Sequence, residues 1–328
     1  MNIRFLLISL TLVAIWPGTA NAESVEISEW LVPWESSQPG DPFVDARGRV
    51  WFAGQRGDYV ANLHPESGQF SRYDLDRNTG PNSLLIGADG DLWFSAGRQR
   101  YIGQLNPANG QITRHEMPKS RARDPHTLVF NSDGDIWFTV QQGNFVGKLT
   151  VANGDMALLE IPTRKTKPTG IVVNSLDEPW AVGMGRNLLL RIDAESMEVQ
   201  EIELPHKKAR PVRLVTTSDD RVWWADIARG YLGRFDPDSG EFSEWPMPGG
   251  DGSEPYGMAV DRLDRIWIVE SGLRPNVLIG FDTATEQFFS ATDIPSGGET
   301  VRHLHYFEPA GEVWFGTDTN YIGRAVVH

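Results

Sequence analysis

Hydrophobic positions in this chain come in short runs, each bounded by turn-forming residues. RGRVWF, DGDLWF, DGDIWF, DEPWAV, DDRVWW, LDRIWI and AGEVWF lead from a turn rich in Gly or Asp into an apolar strand. A second phrase follows in every copy: YVANL, YIGQL, FVGKL, LLLRI, YLGRF, VLIGF and YIGRA. Several copies then turn on phrases such as NPANGQ or DPDSGE, where Pro suits the second turn position and Gly the left-handed one. An outer strand ending in Pro closes the unit, as in ITRHEMP, VQEIELP and FSEWPMP. No stretch sustains a 3.6-residue apolar period between helix caps.

The repeat is marked by tryptophan. Trp51, Trp93, Trp137, Trp180, Trp223, Trp267 and Trp314 lie 42 to 47 residues apart. Four short strands recurring at that period are propeller blades. The pattern therefore predicts an all-β fold, one seven-bladed β-propeller over residues 23–328. The last unit stops at His328 without an outer strand, while ISEWLVP (Ile27 to Pro33) matches the outer strand FSEWPMP (Phe242 to Pro248). The N-terminal strand is expected to close the last blade, leaving no open sheet edge there.

Residues 1–22 stand outside this pattern. Arg4 precedes an apolar run from Phe5 to Trp16, and Ala20-Asn21-Ala22 is a small-residue cleavage site. A cleaved signal peptide and a periplasmic or secreted protein are expected. No later run is long enough to span a bilayer. The chain has no cysteine, which excludes disulfides and thiol chemistry. Its formal net charge of -14 argues against a nucleic-acid partner. A monomer is expected.

The phrases P-x-G-[IM], D-G-x-[IL]-W-F and [YF]-[IV]-G-[KRQ]-[LF], in this order and at this spacing, resemble the streptogramin B lyase (virginiamycin B lyase) family across all seven blades. The resemblance implies a Mg²⁺-dependent lyase that opens a cyclic depsipeptide with a histidine base, at a site around blade 6. Carried over residue by residue, Glu254 and Glu270 match the two metal-side carboxylates. Tyr256 stands in place of the base histidine, Val212 in place of a substrate histidine, and Gly272 in place of a further histidine.

Two slots of the repeat should face the channel. The one after the leading Pro reads Asn82, His126, Thr169, Val212, Tyr256 and His303 in blades 2 to 7, with Phe43 set against it in blade 1. The one three past the Trp reads Gly54, Ala96, Val140, Gly183, Asp226, Glu270 and Thr317. Ionisable groups concentrate in blades 5 to 7, which nominates Asp226, Glu254, Tyr256, Glu270, His303 and His305. In this reading Glu254 and Glu270 hold Mg²⁺ or Ca²⁺, and His303, Tyr256 and Glu270 act on an ester or lactone. Asp226, His305 and His126 contact the small-molecule or peptide ligand. The same groups equally suit a hydrogen-bonded, solvated channel mouth. A non-catalytic propeller that binds a ligand or scaffolds an envelope assembly is the alternative, and the residues leave both open.

Overall fold

The structure is a computed structural model that describes residues 24–327. The expected signal segment lies outside the described residues. Seven four-stranded antiparallel sheets follow one another around the ring. Six of them use strands in chain order. The seventh has the order β1-β28-β27-β26, where β1 is Glu26–Leu31, β26 is Leu304–Phe307, β27 is Glu312–Gly316 and β28 is Tyr321–Val326.

The closure reproduces an internal blade in detail. Trp30 pairs with Ile322 and stacks on Trp314 at 5.6 Å between ring centroids. Trp245 pairs with Leu232 and stacks on Trp223 at 5.2 Å. The guanidinium of Arg324 lies over Trp30 and Trp314, as that of Arg234 lies over Trp223 and Trp245. The repeated phrase S-E-W thus marks one structural position used at both ends of the chain. Around it, the Glu29 carboxylate accepts bonds from the Ser296 backbone N–H and hydroxyl, at 2.6 and 2.7 Å. Asn320 Nδ2 donates to the Val32 and Trp34 carbonyls at 3.0 and 2.9 Å.

The repeated phrases have packing causes. The residue after each Trp faces the middle of the third strand. A Cβ at Gly103 would lie 2.2 Å from the Phe94 ring, and Gly147 and Gly323 stand in the same relation to Phe138 and Phe315. Gly233 is held off by Trp224 in the same way. In blade 4 the sizes are exchanged: Ala181 follows Trp180, and its partner is Leu190. Interior volume is conserved while the residues swap. Several Trp indoles are anchored by a side chain of the preceding turn, which is a threonine hydroxyl for Trp223, whose Nε1 donates to Thr217 Oγ1 at 3.2 Å. Trp51 Nε1 donates to Asp45 at 2.9 Å and Trp267 Nε1 to Asp261 at 3.0 Å. Asn131 and Asn174 hold that turn in blades 3 and 4, and the buried Trp137 and Trp180 Nε1 atoms have no partner there.

Seven inner strands surround the channel: β2 (Pro39–Val44), β6 (Pro81–Ile86), β10 (Pro125–Phe130), β14 (Pro168–Val173), β18 (Pro211–Thr216), β22 (Pro255–Val260) and β26. The first six carry a register shift just after the leading Pro. Such a bulge re-aims the residues next to it.

Candidate functional site

Strand register corrects the alignment of the channel positions. Phe43, Leu85, Val129, Val172, Val215, Ala259 and His305 are the inner-strand partners of the seven Trp residues. Phe43 therefore lies three residues past the slot after the Pro, and that slot in blade 1 is Gly40. In blade 7 the turn Glu308–Ala310 lengthens the hairpin by one residue. The slot there is Arg302, and His303 sits one position deeper. Two residues before each Trp partner runs a ring of Asp41, Ser83, Thr127, Gly170, Arg213, Gly257 and His303.

This ring is bonded around the channel. Asp41 Oδ2 accepts from the Leu84 N–H at 2.8 Å, and Ser83 Oγ accepts from the Leu128 N–H at 3.1 Å. Arg213, only 6% exposed, spans from blade 5 to its neighbours across the opening. Its Nε donates to the Arg302 carbonyl and its Nη1 to Thr127 Oγ1, both at 3.0 Å; its Nη2 donates to His303 Nε2. The guanidinium also lies 5.7 Å from the centre of the Tyr256 ring. Because arginine only donates, His303 Nε2 must accept, which places the imidazole proton on Nδ1. That Nδ1 is buried without a hydrogen-bond partner, 3.9 Å from Asp41 Oδ1.

Burial and the Arg213 charge hold His303 well below the ordinary histidine range, with smaller contributions from His126 and Arg302. The same two causes push His126 down to about 3. Its Nδ1 lies 3.0 Å from Thr127 Oγ1. His305 stacks on Phe43 at 4.3 Å, and burial pushes it down to about 4. All three histidines are neutral at pH 7. Burial raises the Asp41 carboxyl above its usual value.

The carboxylates at the start of blade 6 are arranged differently. Glu270 ends β23 (Ile266–Glu270) and pairs with Pro255, so it lies next to Glu254 across the sheet. Glu270 is 1% exposed, and its Oε1 accepts the Gly249 N–H at 2.6 Å. Burial raises its pKa, partly offset by that bond. Glu254 is exposed, with φ 44°, and its carbonyl accepts the Ser271 N–H at 3.2 Å. Among the described residues, no three His, Asp or Glu side chains converge to hold a metal. Glu254 and Glu270 are neighbouring carboxylates, one exposed and one bonded to the loop beneath it, and a Mg²⁺ or Ca²⁺ ion on them would take the rest of its oxygen shell from water.

Asp226 occupies the equivalent slot of blade 5 but serves its own loop. Its Oδ1 accepts the Arg210 N–H at 2.9 Å, and its Oδ2 lies 3.3 Å from Arg229 Nη1. Arg229 in turn pairs with Glu244 at 2.7 Å. The structure thus gathers His303, Tyr256 and His126 around Arg213, and leaves Asp226 and Glu270 each with separate partners. Arg213 and Asp41 escaped the sequence reading. The available signal was a lone arginine within the apolar inner strand PVRLVT.

Three solved structures share the architecture. Virginiamycin B lyase from Staphylococcus aureus is 23% identical with a TM-score of 0.84, over 93% of this chain and 100% of that one. A catalytically inactive variant of that enzyme with quinupristin is 22% identical, again with a TM-score of 0.84 and the same coverage. Hydrazine synthase from Kuenenia stuttgartiensis is 12% identical with a TM-score of 0.72, over 89% of this chain and 96% of that one. At these identities the likeness establishes the fold alone. No curated protein matches the chain. The model of the virginiamycin B lyase family matches residues 19–273, well over half of the sequence, and the chain belongs to that family.

Proposed function

We propose that this chain is an exported, ligand-binding member of the family that does not perform the metal-dependent lyase step. The observation that carries this reading is the backbone around Gly272. A Cβ there would lie 2.0 Å from the Gly252 carbonyl oxygen and 3.1 Å from the Glu254 side chain. The loop has closed over a position where the family resemblance calls for a histidine, so no side chain fits there. The remaining positions agree. Val212 is fully buried, Tyr256 is half-buried beneath a guanidinium, and Glu270 is bonded to Gly249. A phenol hydroxyl is a weak general base at neutral pH.

The ligand is a small molecule or peptide end received at the mouth where the inner strands begin. Residues 1–22 direct the chain to the periplasm, with the mature protein starting at Glu23.

The test is incubation of the purified chain with quinupristin and Mg²⁺, followed by chromatography of the depsipeptide. Elimination opens the ring without changing the mass, so retention time is the readout. The expected result is intact quinupristin. Ring-opened product that disappears in Glu270→Gln would overturn the reading and restore a lyase. That second reading draws on one observation, the placement of Glu254 and Glu270 side by side across β22 and β23.

A further inference from the structure

The reading above concerns the end of the channel where the inner strands begin. The opposite end holds a separate concavity of about 350 Å³. Its lining starts at the bonded ring and continues only toward the far ends of the inner strands. Asp41, Thr127, Gly170, Arg213 and His303 form the floor. Val129, Ile171, Val172, Leu214, Met258 and Leu304 stand among the walls. No leading Pro, nor any residue directly after one, takes part. Glu254, Tyr256 and Glu270 are outside it as well.

We propose that this funnel is a binding site for a small aliphatic carboxylate, with its head on Arg213 and His303 and its hydrocarbon body against the valine and leucine walls. Three observations lead there. Arg213 is almost fully buried and its protein hydrogen bonds go to neutral acceptors, Thr127, the Arg302 carbonyl and His303. A guanidinium carries five N–H donors, so two remain for a ligand. Among the described residues, the carboxylate that acts on its charge is Asp41, and the two form no ion pair. A buried cation without a partner at contact distance is costly, and an arriving carboxylate supplies that partner in bidentate geometry.

The second observation is His303, 92% buried by its 8% exposure, whose Nδ1–H is left without an acceptor while lining the same space. A carboxylate oxygen seated beside the ring reaches that donor once the imidazole turns toward the funnel. Third, the walls above the floor are mostly aliphatic, with His305 and Tyr306 among them, and a concavity of about 350 Å³ lies near the lower limit of small-molecule pockets, which suits a short-chain acid. The charges near the head are Arg213, Asp41, and Arg302 with its partner Asp318 at 2.8 Å. Asp41 is engaged by the Leu84 N–H on Oδ2 and is biased toward its neutral form by burial.

The inference goes beyond the proposed function, and neither outcome of the quinupristin assay decides it. The experiment is calorimetric titration of the full chain with 4-methylpentanoate and, separately, with 4-methyl-1-pentanol, which has the same skeleton without the charge. The expected result is binding of the acid with an affinity about tenfold or more above that of the alcohol. Arg213→Met should reduce the acid to the affinity of the alcohol. Val172→Trp, which fills the funnel while leaving the bonded ring intact, should abolish binding of both. Should Arg213→Met fail to fold, the acid-to-alcohol comparison and Val172→Trp still decide the matter. No binding of the acid to the unmodified chain, equal affinities for acid and alcohol, or undiminished binding by folded Val172→Trp would overturn the proposal.

Discussion

The blade interiors and the channel face use the same strands and the same register, yet they treat the repeat in opposite ways. Inside the blades the large–small pairing is mostly kept, is exchanged in blade 4, and is evened out in blade 6, where Ile268 faces Ile279. Phe138 faces Gly147, and where Ala181 replaces the large residue, Leu190 replaces the small one. Around the channel no such rule holds. The ring reads Asp41, Ser83, Thr127, Gly170, Arg213, Gly257 and His303, with almost no residue used twice. Packing against fixed neighbours restricts the interior. The channel face is free of that restriction, and its side chains differ from blade to blade.

The largest effect should come from breaking the ring itself. Removing residues 24–33 strips Trp30, Glu29 and the whole of β1 from the last sheet. The expected outcome is an unfolded or aggregated chain by circular dichroism and size exclusion. A folded monomer would show that the interior tolerates an open edge. Next in size is the exchanged pair of blade 4. Ala181→Phe should destabilise by about 1–3 kcal/mol through overpacking. Adding Leu190→Gly should recover much of that loss, so the double-mutant cycle shows strong coupling in urea unfolding. Additive effects would mean that volume is not what the interior conserves.

A smaller effect is expected at the indole anchors. Asp261→Asn removes the carboxylate shared by Trp267 Nε1 and Arg265 Nε, bonded at 3.0 and 2.7 Å. The expected cost is about 1–2 kcal/mol. The same side chain, asparagine, is native at this turn in blade 4, where Trp180 Nε1 lacks a partner. Asn174→Ala should therefore cost no indole hydrogen bond and act only through the turn.

The smallest predicted effect is on pH dependence. His126 and His305 have folded pKa values of about 3 and about 4, against ordinary values near 6.5 in the unfolded chain. The unfolded state then binds more protons in that window. Their stabilising contribution is complete above about pH 6.5 and is lost as pH falls toward the folded values. Asp41 is shifted the other way and opposes the trend at its acid end. Unfolding free energies at neutral pH and near pH 5 should show a decline that shrinks in His126→Asn. An unchanged slope would contradict the neutral, buried state of these rings.

The fold was legible because its signals are local. Tryptophan, the turn residues and the S-E-W phrase each report the position of a strand without knowledge of the others. The channel was less legible because it depends on register. One additional residue in the Glu308–Ala310 turn displaced His303 by one slot, and a bulge after each leading Pro put neighbouring residues into different surroundings. Val212 drew attention to a missing histidine, while Arg213 beside it does the bonding. Glu254 and Glu270 were found as neighbours in register, but the bond from Gly249 and the closed loop at Gly272 are tertiary facts that no spacing reveals.

The most direct test of the division between a conserving interior and a chemically varied channel is a crystal structure of the chain soaked with 4-methylpentanoate and Mg²⁺. The account predicts a carboxylate on Arg213 and His303 at the far end of the channel, and no metal between Glu254 and Glu270. A hydrated metal ion bridging those two carboxylates, with the far end empty, would contradict it.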